Sequence, residues 1–202
     1  MQHETVIVLD FGGQYNQLIA RRVREQNVYC EVKPCSISPD EIRKLAPIGI
    51  ILSGGPQSVY ESVSLHVDPA LFSLGIPVLG ICYGCQLMAY SLGGTVAAAT
   101  EATAREYGKT LTEFDTESAI FHGLPASSVT WMSHGDYMEK VPEGFSLVAH
   151  SDACPNVAIC DETRGFYGVQ YHPEVNHTEF GTAMIRNFLY EVCGATGDWT
   201  MG

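Results

Sequence analysis

No run of apolar residues in this chain approaches the ~20 needed to cross a bilayer, and the polar opening Met-Gln-His-Glu-Thr has none of the make-up of a secretion signal. Both absences point to a soluble protein of the cytoplasm. Positive charge is also scarce, with 11 Lys and Arg against 23 Asp and Glu and a formal charge of -12. Such a surface repels phosphate backbones and anionic lipid, which argues against nucleic acid or membrane as partners. Internal repeats and low-complexity tracts are missing as well. The cysteines at 30, 35, 82, 85, 154, 160 and 193 are odd in number and scattered, so they do not read as a disulfide framework. They read instead as small buried side chains in a reducing compartment.

The 202 residues, 46% of them hydrophobic, suffice for one well-filled core. Residues 5–10 form an apolar, β-branched run that ends in Asp-Phe-Gly-Gly, the pattern of a buried strand and a turn. Leu18, Ile19, Arg22 and Val23 follow at helical spacing. Further strands fit 28–32, 48–52 and 76–81, each bounded by Gly, Pro or polar residues. Short buried strands alternating with helical stretches predict an α/β domain with a mostly parallel sheet covered on both faces. After a helix over 84–92, shorter pieces at 108–114, 129–132 and 145–150 suggest antiparallel additions at the sheet edge, and 157–160 with 165–171 suggest a hairpin. An amphipathic helix over 178–192 closes the domain. The Gly-rich residues 194–202 then look like the start of a linker, so the domain is expected to span 1–193.

Cys82 lies where the strand over 76–81 must turn into a helix, with Gly80 and Gly84 at two-residue distance on either side. That G-x-C-x-G pattern has the form of a nucleophile elbow, in which small neighbours let a tight turn project the central side chain into a cleft. A sulfur at a helix N-terminus feels the positive end of the peptide dipoles, and the amides of Tyr83 and Gly84 are placed to receive an oxyanion. The bland alternative is a core cysteine between two packing glycines. Cys82-Tyr-Gly-Cys85 as a redox pair is stereochemically open, whereas a zinc site needs a second C-x-x-C, which is missing.

A cysteine nucleophile needs an imidazole nearby. His172 ends the apolar stretch Gly168-Val-Gln-Tyr and is followed by Pro173 and Glu174. Residues two apart on an extended chain project to one side, so Glu174 can hold the imidazole in one tautomer, with Pro173 fixing the backbone between them. Alone, His-Pro-Glu fits a structural histidine at a strand end equally well. His122, His134, His150 and His177 show no pattern of their own that sets them apart.

Ser53-Gly54-Gly55-Pro-Gln57-Ser58 follows the strand over 48–52 and forms another rim loop. Gly54 and Gly55 allow close approach of a ligand to backbone, and an amide from this loop can complete an oxyanion hole. The same residues can be a plain turn. They also resemble the pyrophosphate loop of ATP pyrophosphatases, although Gln57 stands where that loop usually carries Asp. Ser133 and Asp136, expected in a loop, suit the amino-acid head of a small zwitterion. Asp10-Phe-Gly matches a kinase tripeptide without the loops that accompany it, which reads as chance.

Together, Gly80-Ile-Cys82-Tyr-Gly84-Cys-Gln86, Leu52-Ser-Gly-Gly-Pro56 and Tyr171-His-Pro-Glu-Val175 resemble the class I (triad) glutamine amidotransferases across nearly the whole chain. Within that family the similarity is greatest to the glutaminase domains of GMP synthetases. It is carried by Asp10-Phe-Gly-Gly-Gln-Tyr15, Gly55-Pro-Gln-Ser-Val-Tyr60, Arg105-Glu-Tyr-Gly108, Ser133-His-Gly-Asp136, His172-Pro-Glu-Val-Asn-His-Thr178 and Gly197-Asp-Trp-Thr-Met201. The resemblance implies a flavodoxin-like fold and a catalytic triad of Cys82, His172 and Glu174. It further implies an oxyanion hole from the Gly55 and Tyr83 amides, and glutamine contacts at Gly54, Gln86, Ser133 and Asp136. It implies no metal or cofactor for this domain, with ATP and magnesium belonging to an ATP pyrophosphatase (synthetase) partner that is absent from this sequence and aminates XMP to GMP. A γ-glutamyl peptide hydrolase, another amidotransferase of the same family or a non-catalytic regulatory domain are the other readings. Cys85 departs from the family's usual Met; it is expected to pack behind the elbow, as a possible second oxidisable thiol.

Overall fold

In the computed structural model, residues 3–55, 66–98, 106–134, 136–152 and 154–200 are described, with backbone alone at 98, 106, 107, 133 and 134. The elements run β1 (Thr5–Asp10), α1 (Asn16–Glu25), β2 (Tyr29–Pro34), α2 (Pro39–Leu45), β3 (Gly49–Leu52), β4 (Val78–Ile81) and α3 (Tyr83–Ser91). The second half runs β5 (Thr95–Ala98), β6 (Glu106–Phe114), β7 (Ser127–His134), β8 (Asp136–Lys140), β9 (Ser146–His150), β10 (Ala158–Asp161), β11 (Phe166–Val169) and α4 (Gly181–Asn187). Short 3-10 turns at Pro69–Ser73 and Ala119–Phe121 complete it, and a π-helical turn at Phe188–Val192 continues α4.

Nine strands form one sheet in the order β2-β1-β3-β4-β11-β10-β9-β6-β7. The first five are parallel, and the other four extend the sheet antiparallel from β11. The parallel half has the 2-1-3-4-5 order of flavodoxin-like sheets, in which ligands bind beyond the carboxyl ends of the strands. Every residue of β3, β4, β10 and β11 is buried, as continuous apolar runs require when both faces are covered. One face packs Val6, Val8, Ile51 and Val169 on Ile19 and Val23 of α1 and on Met184 and Ile185 of α4. The other packs Ile7, Leu9, Ile50 and Leu52 on Ile42 of α2 and on Tyr83, Leu87 and Met88 of α3.

The structure departs from the sequence expectations in a few places. The helix over Pro39–Leu45 was not anticipated, although Ser38 caps it by accepting the Glu41 amide at 3.2 Å. Nor was the small sheet that β5 forms with β8. Ser133 and Asp136 lie in β7 and β8 rather than in a loop. The last helix begins at Gly181 instead of 178 because residues 172–179 have another role, which is to cover the outer edge of β7. His172 and Glu179 donate their amides to the carbonyls of Trp131 and Val129 at 3.0 and 3.1 Å. Thr178 Oγ1 and the Glu179 carboxylate accept the amides of Trp131 and Val129, each at 3.0 Å. An open edge strand is thereby blunted, and His172 is fixed to the antiparallel half.

Residues 194–200 are packed as a strap against the starts of β1 and β2. Thr196 donates its amide to Glu4 at 2.8 Å, and the Glu4 amide reaches Asp198 at 2.9 Å. Trp199 stacks at a tilt on Tyr29, ring centroids 5.7 Å apart. Residues 194–200 therefore lie at the end of the sheet opposite the strand carboxyl ends.

Candidate active site

Three consecutive parallel strands end beside one another and deliver the residues singled out above: β3 leads into Ser53-Gly54-Gly55, β4 into Cys82 and β11 towards His172. Cys82 sits between β4 and α3 with φ of 53° and ψ of -109°, in the left-handed region that a non-glycine residue adopts at a cost. Its amide donates to the Val169 carbonyl at 2.8 Å, and its carbonyl accepts the first bond of α3, from Gln86, at 3.1 Å. The flanking glycines answer to space. A Cβ on Gly84 would overlap the backbone of Leu52, and one on Gly80 would come within 2.7 Å of the Gly84 carbonyl oxygen. The elbow pattern thus reflects a helix start pressed directly onto two strands.

His172 and Glu174 are buried, and their side chains meet at 2.6 Å between Nδ1 and Oε1. His172 is also hydrogen-bonded to Cys82, so the three side chains form one connected line. Burial disfavours an imidazolium here, but the hydrogen bonds to Cys82 and Glu174 and their charges outweigh it, and the His172 pKa is pushed up to about 10. The ring is held from several sides. Thr178 Oγ1 donates to the His172 carbonyl at 2.7 Å, and Tyr15 lies edge-on to the imidazole with centroids 5.5 Å apart. Arg22 of α1 donates Nε to the Glu174 carbonyl at 2.9 Å and Nη2 to Asn176 Oδ1 at 3.1 Å. Tyr15, Arg22 and Thr178 were not singled out for these roles from sequence. Tyr15 and Thr178 carried a signal only as the ends of the Asp10-Phe-Gly-Gly-Gln-Tyr15 and His172-Pro-Glu-Val-Asn-His-Thr178 stretches, and Arg22 only as part of a helical period.

Gly54 lies against both side chains, since a Cβ there would stand 3.1 Å from His172 Cε1 and 3.7 Å from the Cys82 Cβ. Gly55 follows, and Tyr83 opens the first turn of α3. Gln86 is buried one turn into that helix and donates Nε2 to the Asp136 carbonyl at 3.2 Å, which ties the elbow helix to β8. Asp136 is half-buried at the start of β8, and the backbone of Ser133 pairs with Tyr107 near the end of β7. The remainder of the rim loop, including Gln57 and Ser58, and the stretch with Arg105 lie outside the described residues.

Cys85 packs behind the elbow, fully buried, with its Sγ 3.6 Å from Met138 Sδ and against Gly168. Burial pushes its thiol pKa well above the ordinary value, which keeps it protonated and a poor nucleophile. The remaining histidines with described side chains serve elsewhere. His122 binds Glu191 at 2.7 Å, His150 binds Glu113 at 2.6 Å, and His177 stacks on Trp131 at 4.6 Å. Among the described residues no group of three His, Cys, Asp or Glu side chains is placed to hold a metal ion.

Comparison with known proteins identifies the family. The sequence profile described as "Glutamine amidotransferase class-I" matches residues 7–192. A glutamine-hydrolysing GMP synthase of Clostridium botulinum (strain Alaska E43 / Type E3) is 55% identical over 201 residues, covering 100% of this chain and 39% of that protein. One from Geobacillus kaustophilus (strain HTA426) is 54% identical with the same coverage. The chain therefore spans about two-fifths of the length of these curated relatives. Among solved structures, a Thermoplasma acidophilum protein proposed to be a GMP synthase subunit superposes with a TM-score of 0.83 at 31% identity, over 96% of each chain. A Thermotoga maritima glutamine amidotransferase shares the fold, with a TM-score of 0.74 at 19% identity over 96% of this chain and 100% of that one. With a family profile matching from the first strand to the last helix, the chain belongs to the class I glutamine amidotransferases.

Proposed function

We propose that this chain is the glutaminase part of a GMP synthase, releasing ammonia from glutamine for a partner synthetase domain. The reading rests above all on one observation, the hydrogen-bonded line from Cys82 through His172 to Glu174 at the carboxyl ends of β4 and β11. In this mechanism the Cys82 thiolate attacks the glutamine amide carbon. The resulting oxyanion takes hydrogen bonds from the Gly55 and Tyr83 amides. The His172 imidazolium gives its proton to the departing ammonia, leaving a γ-glutamyl thioester on Cys82. Neutral His172 then takes a proton from water, which attacks the thioester and frees glutamate. Glu174 orients the ring and stabilises its charged form. Gly54, Gln86, Ser133 and Asp136 are the residues to which this proposal gives the contacts with glutamine. None of these steps calls on a cofactor.

Residues 1–193 form the glutaminase domain in this proposal, and 194–202 lead towards an ATP pyrophosphatase domain. ATP and magnesium act there, where XMP is aminated to GMP, and the compartment is the cytoplasm. The GMP synthases that match this chain over about two-fifths of their own length support that division. Ammonia release from glutamine is the test. Cys82→Ala is expected to abolish it, and undiminished release from that variant would refute the assignment.

A further inference from the structure

We propose that the turn between β1 and α1, residues 11–15, positions the oxyanion loop, and that the absence of a side chain at Gly13 sets where that loop lies. The inference rests on the reading above, in which the Gly55 amide is an oxyanion donor. The turn itself is well held. The Asp10 carboxylate accepts the Gly12 amide at 2.7 Å, and buried Ser53 donates Oγ to the Leu9 carbonyl at 2.7 Å while accepting the Phe11 amide at 3.4 Å. These bonds tie the end of β3 to the end of β1 at the point where the rim loop begins.

The two loops then interlock, backbone against backbone. A Cβ at Gly13 would overlap the carbonyl oxygen of Gly54 and stand 2.9 Å from its carbonyl carbon. A Cβ at Gly55 would stand 2.7 Å from the Phe11 carbonyl oxygen. Gly13 itself is not in the left-handed region, so its lack of a side chain answers to space rather than to dihedral angle. The peptide it touches is the one that joins Gly54 to Gly55 and carries the donor N–H. The same turn reaches the other two parts of the site. The Phe11 ring packs on Tyr83 with centroids 5.5 Å apart, and Tyr15 meets the His172 ring. A displacement of about 1 Å in a donor that must meet a developing oxyanion costs rate while leaving the nucleophile intact.

The experiment separates those two properties in the full-length protein. Gly13→Ala is compared with wild type in kcat and KM for glutamine, and in the rate at which iodoacetamide alkylates Cys82, read on the Cys82 peptide. Alkylation reports the Cys82–His172 pair and needs no oxyanion donor. We expect kcat to fall at least ~100-fold, KM to change less than about 3-fold and alkylation to stay within about 2-fold. A kcat within about 3-fold of wild type would overturn the proposal, as would turnover and alkylation falling together. If Gly13→Ala does not fold, Phe11→Leu is read in the same way. It alters the same turn without adding atoms at the interlock, and a fall in kcat of ~10-fold or more with unchanged alkylation is expected. The absence of that split in Phe11→Leu overturns the inference. Failure of the underlying reading looks different, because turnover would then survive Cys82→Ala.

Discussion

His172 feels opposed demands, since burial disfavours its charge while Cys82 and Glu174 favour it, and the attraction prevails. Its folded pKa of about 10 stands above the ordinary 6.5. The folded state therefore binds this proton more tightly than the unfolded chain does. The resulting stabilisation is complete below about pH 6.5 and is lost as the pH rises through about 10. Glu174→Gln keeps the shape and removes one of the attractions. The alkaline limb of glutamine hydrolysis should then move to lower pH and kcat should drop by about 10²–10⁴-fold, as for a triad whose orienting carboxylate is neutralised. An unmoved limb in a pH–rate profile would contradict the role given to Glu174. Thr178 carries a different load, since one hydroxyl donates to the His172 carbonyl and accepts the Trp131 amide. Thr178→Val leaves both backbone groups without that partner, at a cost of about 1–3 kcal/mol. Urea unfolding should register the loss, along with a slower turnover.

At the level of the element, the start of α3 is where packing and local preference conflict. Alanine at position 84 would favour the helix by ~1 kcal/mol over glycine. Its Cβ, however, would press into the Leu52 backbone, which cannot move aside as a flexible side chain would. Overpacking costs of about 1–3 kcal/mol prevail, so Gly84→Ala should lower the midpoint of thermal unfolding despite the better helix former. An unchanged or higher midpoint would mean that β3 and α3 are less tightly apposed. This contact also explains what sequence could disclose. Gly80, Cys82 and Gly84 lie within five residues of one another, as do the residues of β1, and their spacing carries the whole local arrangement. The helix over Pro39–Leu45 has a capping signal in Ser38-Pro39-Asp40-Glu41 but buries only Ile42, so no apolar period marks it. Strands β5 and β8 find their pairing across some 40 residues with little alternation to announce it. Asp10-Phe-Gly12 reads as a chance kinase tripeptide and Asp10 to Tyr15 only as a family-like stretch, because the partners of the turn at 11–15, Gly54, Gly55, Tyr83 and His172, are distant in sequence and meet only at the rim of the folded sheet.

For the whole molecule, the consequential feature is the separation of the candidate active site from residues 194–200. The site lies beyond the strand carboxyl ends, while residues 194–200 are bound at the opposite end, on Glu4, Asn27 and Tyr29. On the proposed function, a synthetase domain following residue 202 influences residues 53–55 only by reaching round the sheet or by acting across it. The proposed function, rather than this geometry, gives the expectation that ammonia release from the chain alone is weak and rises when a synthetase domain and its nucleotide substrates are supplied. A glutaminase assay with and without them reads the difference directly, and full activity in the isolated chain would argue against such control. The central claim, that Cys82 is the nucleophile, is tested most directly by quenching the protein with acid during turnover of glutamine and locating the covalent adduct by peptide mass spectrometry. One γ-glutamyl group is expected, on Cys82; no adduct at all, or one on another cysteine such as Cys85, would contradict that role.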